Sequence, residues 1–211
     1  MSSNTLRFLI TAGPTREFLD PIRYISNRSS GKMGYAIAEA ARAVSANVTL
    51  VSGPTSLAVP KGVEFVSVTS AQEMAEGVWS RFAEVEVCIM AAAVCDFRPK
   101  KTAGSKIKKT AFGGTLELEP TPDILAELGR RKKSQVLVGF AAETDDVEKH
   151  AQEKLTRKGL DFIVANDASA FDADTNRVVI LGADGKAERL PELLKVELAK
   201  RIIERAVHLA R

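Results

Sequence analysis

The chain has 211 residues, of which 45% are hydrophobic, 27% charged and 6% aromatic, with a formal net charge of +3. That length suits one well-filled domain, and the composition excludes intrinsic disorder, a collagen-like repeat and an aromatic-rich β-sandwich. The two cysteines, Cys88 and Cys95, lie in or beside an apolar run, which argues against a secreted disulfide framework and for a reducing, cytoplasmic setting; no stretch approaches the ~18 apolar residues of a membrane span.

Taken in chain order, β-rich runs fall at Leu6–Thr11, Val48–Ser52, Val63–Val68, Val87–Val94, Val136–Phe140, Phe162–Ala165 and Val178–Leu181. Helical patterns lie between them at Tyr35–Ser45, Ala71–Ala83, Asp123–Arg131 and Val147–Leu160, and Leu193–Leu209 closes the chain. Strand alternating with helix implies right-handed βαβ units, hence an α/β fold: a doubly wound, Rossmann-like, mostly parallel sheet with helices on both faces. Thr115–Leu118 breaks the alternation and reads as a half-exposed antiparallel strand, part of an arm or flap. No repeat or linker divides residues 1–211, so a single domain is expected, with 98–118 as its basic flap.

In such sheets ligands bind outside the carboxyl ends of the strands, so the loops there carry the chemistry. After the first strand comes Thr11-Ala12-Gly13-Pro14-Thr15-Arg16, then Tyr24-Ile25-Ser26-Asn27-Arg28-Ser29-Ser30-Gly31-Lys32-Met33-Gly34. Neither the dinucleotide glycine fingerprint nor a P-loop is present. Ser29, Ser30 and Gly31 nevertheless precede a helix start, where unpaired N–H groups and the dipole favour a phosphate, and Arg23, Arg28 and Lys32 add positive charge. The alternative is that Ser29 or Ser30 merely caps the helix.

Met90-Ala91-Ala92-Ala93-Val94-Cys95-Asp96-Phe97-Arg98 ends a strand in small residues, which lets a ring or phosphate approach the backbone, and Asp96 could hold Mg²⁺ or a substrate amine. Arg98, Lys100, Lys101, Lys106, Lys108 and Lys109 form an acid-free cationic stretch, leaving the rest of the chain net negative; Gly104, Gly113 and Gly114 around it would allow a mobile lid. It lacks the interleaved aromatics of a nucleic-acid platform. Thr121-Pro122-Asp123-Ile124 reads as a helix start with Thr121 as N-cap and Pro122 in the first helical position. Gly139-Phe140-Ala141-Ala142-Glu143-Thr144 again ends a strand in small residues, with an aromatic that could stack on a base. Lys154 and Lys158 are four apart on the next predicted helix and share one face.

In this order, together with Ala165-Asn166-Asp167, these segments resemble the phosphopantothenate–cysteine ligase family of bacterial, CTP-dependent type, and the resemblance covers nearly the whole chain. It implies coenzyme A biosynthesis: 4'-phosphopantothenate is activated by CTP, with Mg²⁺ as cofactor, to an acyl-cytidylate. L-Cysteine then captures this intermediate, giving 4'-phosphopantothenoylcysteine, CMP and pyrophosphate. The catalytic residues it implies are Asn27, tied to the second half-reaction, and Lys106, the mobile lysine of the lid. Substrate would be held by Arg23, Asn27 and Ala93. Nucleotide would be held by Gly13, Ser29, Ser30, Gly31, Ala92, Ala93, Asp96, Lys106, Thr121, Pro122, Asp123, Ile124, Phe140, Lys154 and Lys158, with Asp96 as the Mg²⁺ ligand. Many members have alanine where Cys95 stands. The resemblance further implies a cytoplasmic homodimer whose 98–118 arms reach the neighbouring site, with neither nucleic acid nor membrane as partner. A phosphopantothenoylcysteine decarboxylase would be a separate partner, and the chain is either a monofunctional ligase or an excised domain.

Overall fold

The computed structural model describes residues 5–111, 113–143, 145–167 and 173–211. Its main sheet contains β1 (Arg7–Ala12), β2 (Asn47–Ser52), β3 (Glu64–Ser67), β4 (Val87–Met90), β5 (Val136–Glu143), β6 (Phe162–Asp167), β7 (Val178–Gly182) and β8 (Ala187–Arg189). Their order across the sheet is β8-β7-β6-β5-β4-β1-β2-β3. The strands from β3 to β6 are all parallel to their neighbours, and β7 and β8 add an antiparallel edge. This is the doubly wound arrangement, and its order reverses between β1 and β4, where β1 pairs with both β2 and β4.

Strand periodicity divides the core between the two faces. Phe8, Ile10, Leu50, Ile89, Val138 and Phe162 point to one face, where α1 (Lys32–Ala43) and α5 (Lys195–Leu209) cover them. Leu9, Val51, Cys88, Leu137 and Ile163 point to the other, beneath α2 (Ala71–Trp79), α3 (Ile124–Arg131) and α4 (Val147–Arg157). Strands sealed on both faces read as near-continuous apolar runs, which is why they were visible in the sequence.

Several boundaries differ from the sequence reading. The fourth strand ends at Met90 rather than Val94, because beyond it the backbone of Ala93 turns to β1's continuation: Ala93 N–H donates to Gly13 O at 2.9 Å and Thr15 N–H to Ala93 O at 3.2 Å. The antiparallel strand expected at Thr115–Leu118 lies instead at Leu118–Pro120, paired with Phe97–Pro99, and the Arg98–Glu119 ion pair at 2.8 Å fixes that register. Between β1 and α1 an unforeseen hairpin pairs Arg16–Phe18 with Tyr24–Ser26. A second small ribbon, Thr175–Asn176 with Leu193–Leu194, leads into α5. No helix among the described residues is long and apolar enough to cross a membrane.

Candidate active site

At the carboxyl ends of β1, β4, β5 and β6 two clefts, each of about 370 Å³, meet along a shared wall of Ala92, Val94, Asp96, Phe140 and Lys154. The first also takes in Asn27, Ser29, Ser30, Gly31 and Ala93; the second takes in Thr121, Pro122, Asp123, Ile124 and Lys158. Most of the residues singled out in the sequence thus converge on one place.

The floor of the first cleft is the start of α1. Gly31 is its N-cap, with φ 79° and no side-chain cap, so neither Ser29 nor Ser30 caps the helix as the alternative reading supposed. Ser29 Oγ only accepts a long 3.4 Å bond from the Gly31 N–H. A left-handed N-cap without a side-chain acceptor leaves the first-turn N–H groups to a ligand, and the dipole makes that ligand an anion. Gly34 in that turn lies against β1: a Cβ there would fall 2.5 Å from Ala12 Cβ and 2.8 Å from Thr11 O. Only glycine lets α1 approach the sheet this closely.

The small-residue shelf is held from both sides. Ala92 N–H donates to Thr11 Oγ1 at 3.1 Å, and Asn27 Nδ2 donates to Ala93 O at 3.1 Å and Val94 O at 3.0 Å. Asn27 therefore commits its amide nitrogen to the shelf, and its amide oxygen has no hydrogen bond among the described residues. Cys95, behind the shelf, is buried; its N–H donates to Thr15 Oγ1 at 2.9 Å, and burial pushes its thiol pKa up. It is a packed apolar group and not a reactive thiolate.

In the second cleft, the cap of α3 is Asp123 and not Thr121. Asp123 Oδ1 accepts the Ala126 N–H at 3.0 Å, and the helix proper begins at Ile124, so Pro122 precedes it. Thr121 instead donates its hydroxyl to Cys95 O at 2.5 Å, tying the turn to the shelf. Lys154 and Lys158 both line this cleft, Lys154 from within α4 and Lys158 as its C-cap. Lys154 Nζ donates to Phe140 O at 2.8 Å. Lys158 Nζ bridges both Asp123 oxygens at 2.8 and 2.9 Å. Burial raises the Asp123 pKa, but the Lys158 ammonium and the Ala126 N–H outweigh it, leaving the carboxyl below its ordinary value.

Three expected residues do not line either cleft. Gly13 lies behind Gly31, whose added Cβ would sit 3.3 Å from Gly13 Cα. Arg23 and Lys106 lie together elsewhere, Arg23 donating to the carbonyl of Ile107 at 2.6 Å, and Lys106 is exposed. Thr144 of the Gly139–Thr144 motif lies outside the described residues. Sequence reasoning missed Asn176 and Lys195, both 7% exposed, which line the first cleft together with Asn166. Asn176 Oδ1 is buried without a partner among the described residues. Nothing in the local pattern marks these positions, because the Thr175–Asn176 ribbon that delivers them is only two residues long.

The family model for the DNA/pantothenate metabolism flavoprotein C-terminal domain matches residues 4–209. The chain belongs to this family. Among curated relatives, the coenzyme A biosynthesis bifunctional protein CoaBC of Bacillus subtilis (strain 168) is 50% identical over 208 residues, covering 96% of this chain and 51% of that protein. Its counterpart in Escherichia coli (strain K12) is 46% identical over 215 residues, covering 95% of this chain and 53% of that protein. The chain thus spans about half the length of these relatives. Among solved structures, the C-terminal domain of a CoaBC matches with a TM-score of 0.83 and 48% identity, covering 95% of this chain and 93% of that one. A Cab2 H337A mutant solved with phosphopantothenate-cysteine shares the fold at a TM-score of 0.78 and 17% identity, covering 97% of this chain and 87% of that one.

Proposed function

We propose that this member of the family is a phosphopantothenate–cysteine ligase that uses CTP. The observation that carries this reading is the convergence of an uncapped helix start, a small-residue shelf and a lysine-flanked turn on two adjoining clefts with a shared wall. The half-length relationship to CoaBC proteins supports it.

A carboxylate is a poor acyl donor, and its attack on the α-phosphate of CTP needs the polyphosphate neutralised. The base and ribose fit between Phe140 and the Thr121–Ile124 turn, and the phosphates fit over Ser29, Ser30 and Gly31. Lys154, which lines both clefts, supplies charge beside them, and Lys158, paired with Asp123, faces the nucleotide from beside the Thr121–Ile124 turn. Mg²⁺, when bound, offsets phosphate charge and orients the transferring group. Asp96 is exposed on the shared wall, and no group of three or more acidic, histidine or cysteine ligands occurs among the described residues. One carboxylate plus phosphate oxygens suits Mg²⁺, which keeps most of its waters, so Asp96 would hold it.

Asn27 serves the second half-reaction from the rim of the shelf. With its Nδ2 engaged by Ala93 O and Val94 O, it reaches a developing oxyanion by exchanging one of those bonds, while its amide oxygen can accept a hydrogen bond from the attacking neutral amine of cysteine. Arg23 and Lys106 are supplied by a second copy of the chain. Ile22 (60% exposed) and Tyr24 flank Arg23 in the chain, and Phe97 (55%) and Leu118 lie exposed on the arm strands; these are the apolar side chains that a homodimer would cover.

The test is pyrophosphate release from each of the four nucleoside triphosphates with phosphopantothenate, with and without cysteine. Release with CTP, and amide product only when cysteine is present, is expected; absence of nucleotide-dependent release overturns the reading. Asn27→Ala should still form acyl-cytidylate but transfer it about 10²- to 10³-fold more slowly.

A further inference from the structure

Asp20 lines neither cleft and has no part in the chemistry above, yet its side chain is fully buried and bonded at both oxygens. Oδ1 accepts the N–H groups of Ile22 and Arg23, both at 2.9 Å, which closes the local turn. Oδ2 accepts Arg23 Nε at 3.0 Å and Nη2 at 2.6 Å and, from the cationic arm 87 residues further on, the Ile107 N–H at 3.1 Å. The Arg23 guanidinium that Asp20 orients in turn donates to Ile107 O at 2.6 Å.

The Ile107 N–H belongs to the peptide unit joining Lys106 to Ile107. Holding it, together with the next carbonyl, fixes the backbone immediately after Lys106 at both of its polar groups. The arm is tied down before Lys106 as well: Ala103 N–H donates to Leu19 O at 2.9 Å and the Thr102 hydroxyl to Phe18 O at 3.0 Å. Gly104 between these anchors meets nothing, so the backbone there has room to turn. A long lysine on an exposed arm carries large conformational entropy, and anchoring its backbone is the means by which the fold limits where its ammonium goes.

We propose that Asp20 is the positioning residue for Lys106: through the Ile107 amide and the Arg23 guanidinium it holds the arm so that the lysine meets the phosphates during activation. The proposal rests on the reading that Lys106 serves that step.

Asp20→Asn separates this role from local folding, because the amide oxygen still closes the turn to Ile22 and Arg23 while the second acceptor and the charge are lost. In the full chain, kcat for CTP-dependent pyrophosphate release is expected to fall about 10²-fold. In a Lys106→Gln background the same change should cost nothing further. In the unaltered protein the Ile107 amide should exchange slowly with deuterium, a measurement that needs no variant.

Wild-type kcat in Asp20→Asn, immediate exchange at Ile107, or a defect confined to KM for phosphopantothenate that survives in full in the Lys106→Gln background would each overturn the proposal. If Lys106→Gln itself releases pyrophosphate at the wild-type rate, the reading of Lys106 falls and the clamp with it. If Lys106 is essential and Asp20 dispensable, the clamp alone falls.

Discussion

The cleft and the cationic arm are built by different physics. The cleft walls continue β1, β4 and β5, and their positions follow from parallel ladders and a core sealed on both faces. The arm is attached to the rest of the chain by a few isolated bonds, one of them ending on a buried carboxylate and the others on backbone carbonyls or Arg23. A ladder resists local displacement because many bonds and contacts must yield together, whereas isolated bonds can be lost singly. The same chain therefore carries a receptacle built on the sheet and a set of cations held by fewer, separate bonds.

Substitutions in the sheet should lower global stability, and those within the arm itself, residues 98–118, should leave it nearly intact, whereas the buried Asp20 that anchors the arm belongs to the body of the chain. The largest effect is expected from Ile10→Ala, which empties a fully buried site between β2 and β4 and should cost about 2–5 kcal/mol in denaturant unfolding. Gly34→Ala should cost about 1–3 kcal/mol, because the added methyl collides with Ala12 and Thr11 O; wild-type stability would show that α1 can slide on the sheet.

Acidification probes the arm and the second cleft together. The Arg23 guanidinium holds the Asp20 carboxyl well below its usual range, and Asp123 is lowered on balance. Carboxyls lowered in the folded state contribute stability that is present above their unfolded pKa, about 4, and is lost as pH falls through the folded value. Thermal midpoints of wild type and Asp20→Asn should differ near neutrality and converge on strong acidification; a constant gap would show that charge is not what Asp20 supplies.

The smallest change is expected from Thr102→Ala, about 0.5–1.5 kcal/mol locally. It should quicken amide exchange in the arm without moving the global transition. A loss matching that of Ile10→Ala would erase the distinction between the two regions.

The resemblance singled out most of the cleft from local sequence, since Ser29-Ser30-Gly31, the alanines at 91–93, Thr121–Ile124 and Phe140 all sit at strand ends or helix starts. Their exact partners were less legible. Thr121 and Asp123 are both good caps by residue type, and the choice between them depends on Cys95 O, which draws the Thr121 hydroxyl away. The hairpin at Arg16–Phe18 and Tyr24–Ser26 has three-residue strands, too short for periodicity to show.

The residues alone determined the alternation of buried strands with amphipathic helices, and hence the parallel sheet and the end of it at which ligands gather, because burial on two faces imposes an apolar run that any reader can see. Tertiary structure decided that Asn176 and Lys195 face the first cleft, that Lys158 is joined to Asp123, and that Asp20 holds the arm beside Arg23. Lys158 lies 35 positions from Asp123 and Ile107 lies 87 from Asp20. Contacts between polar side chains at such separations leave no periodic trace in the chain, and only the folded geometry selects them.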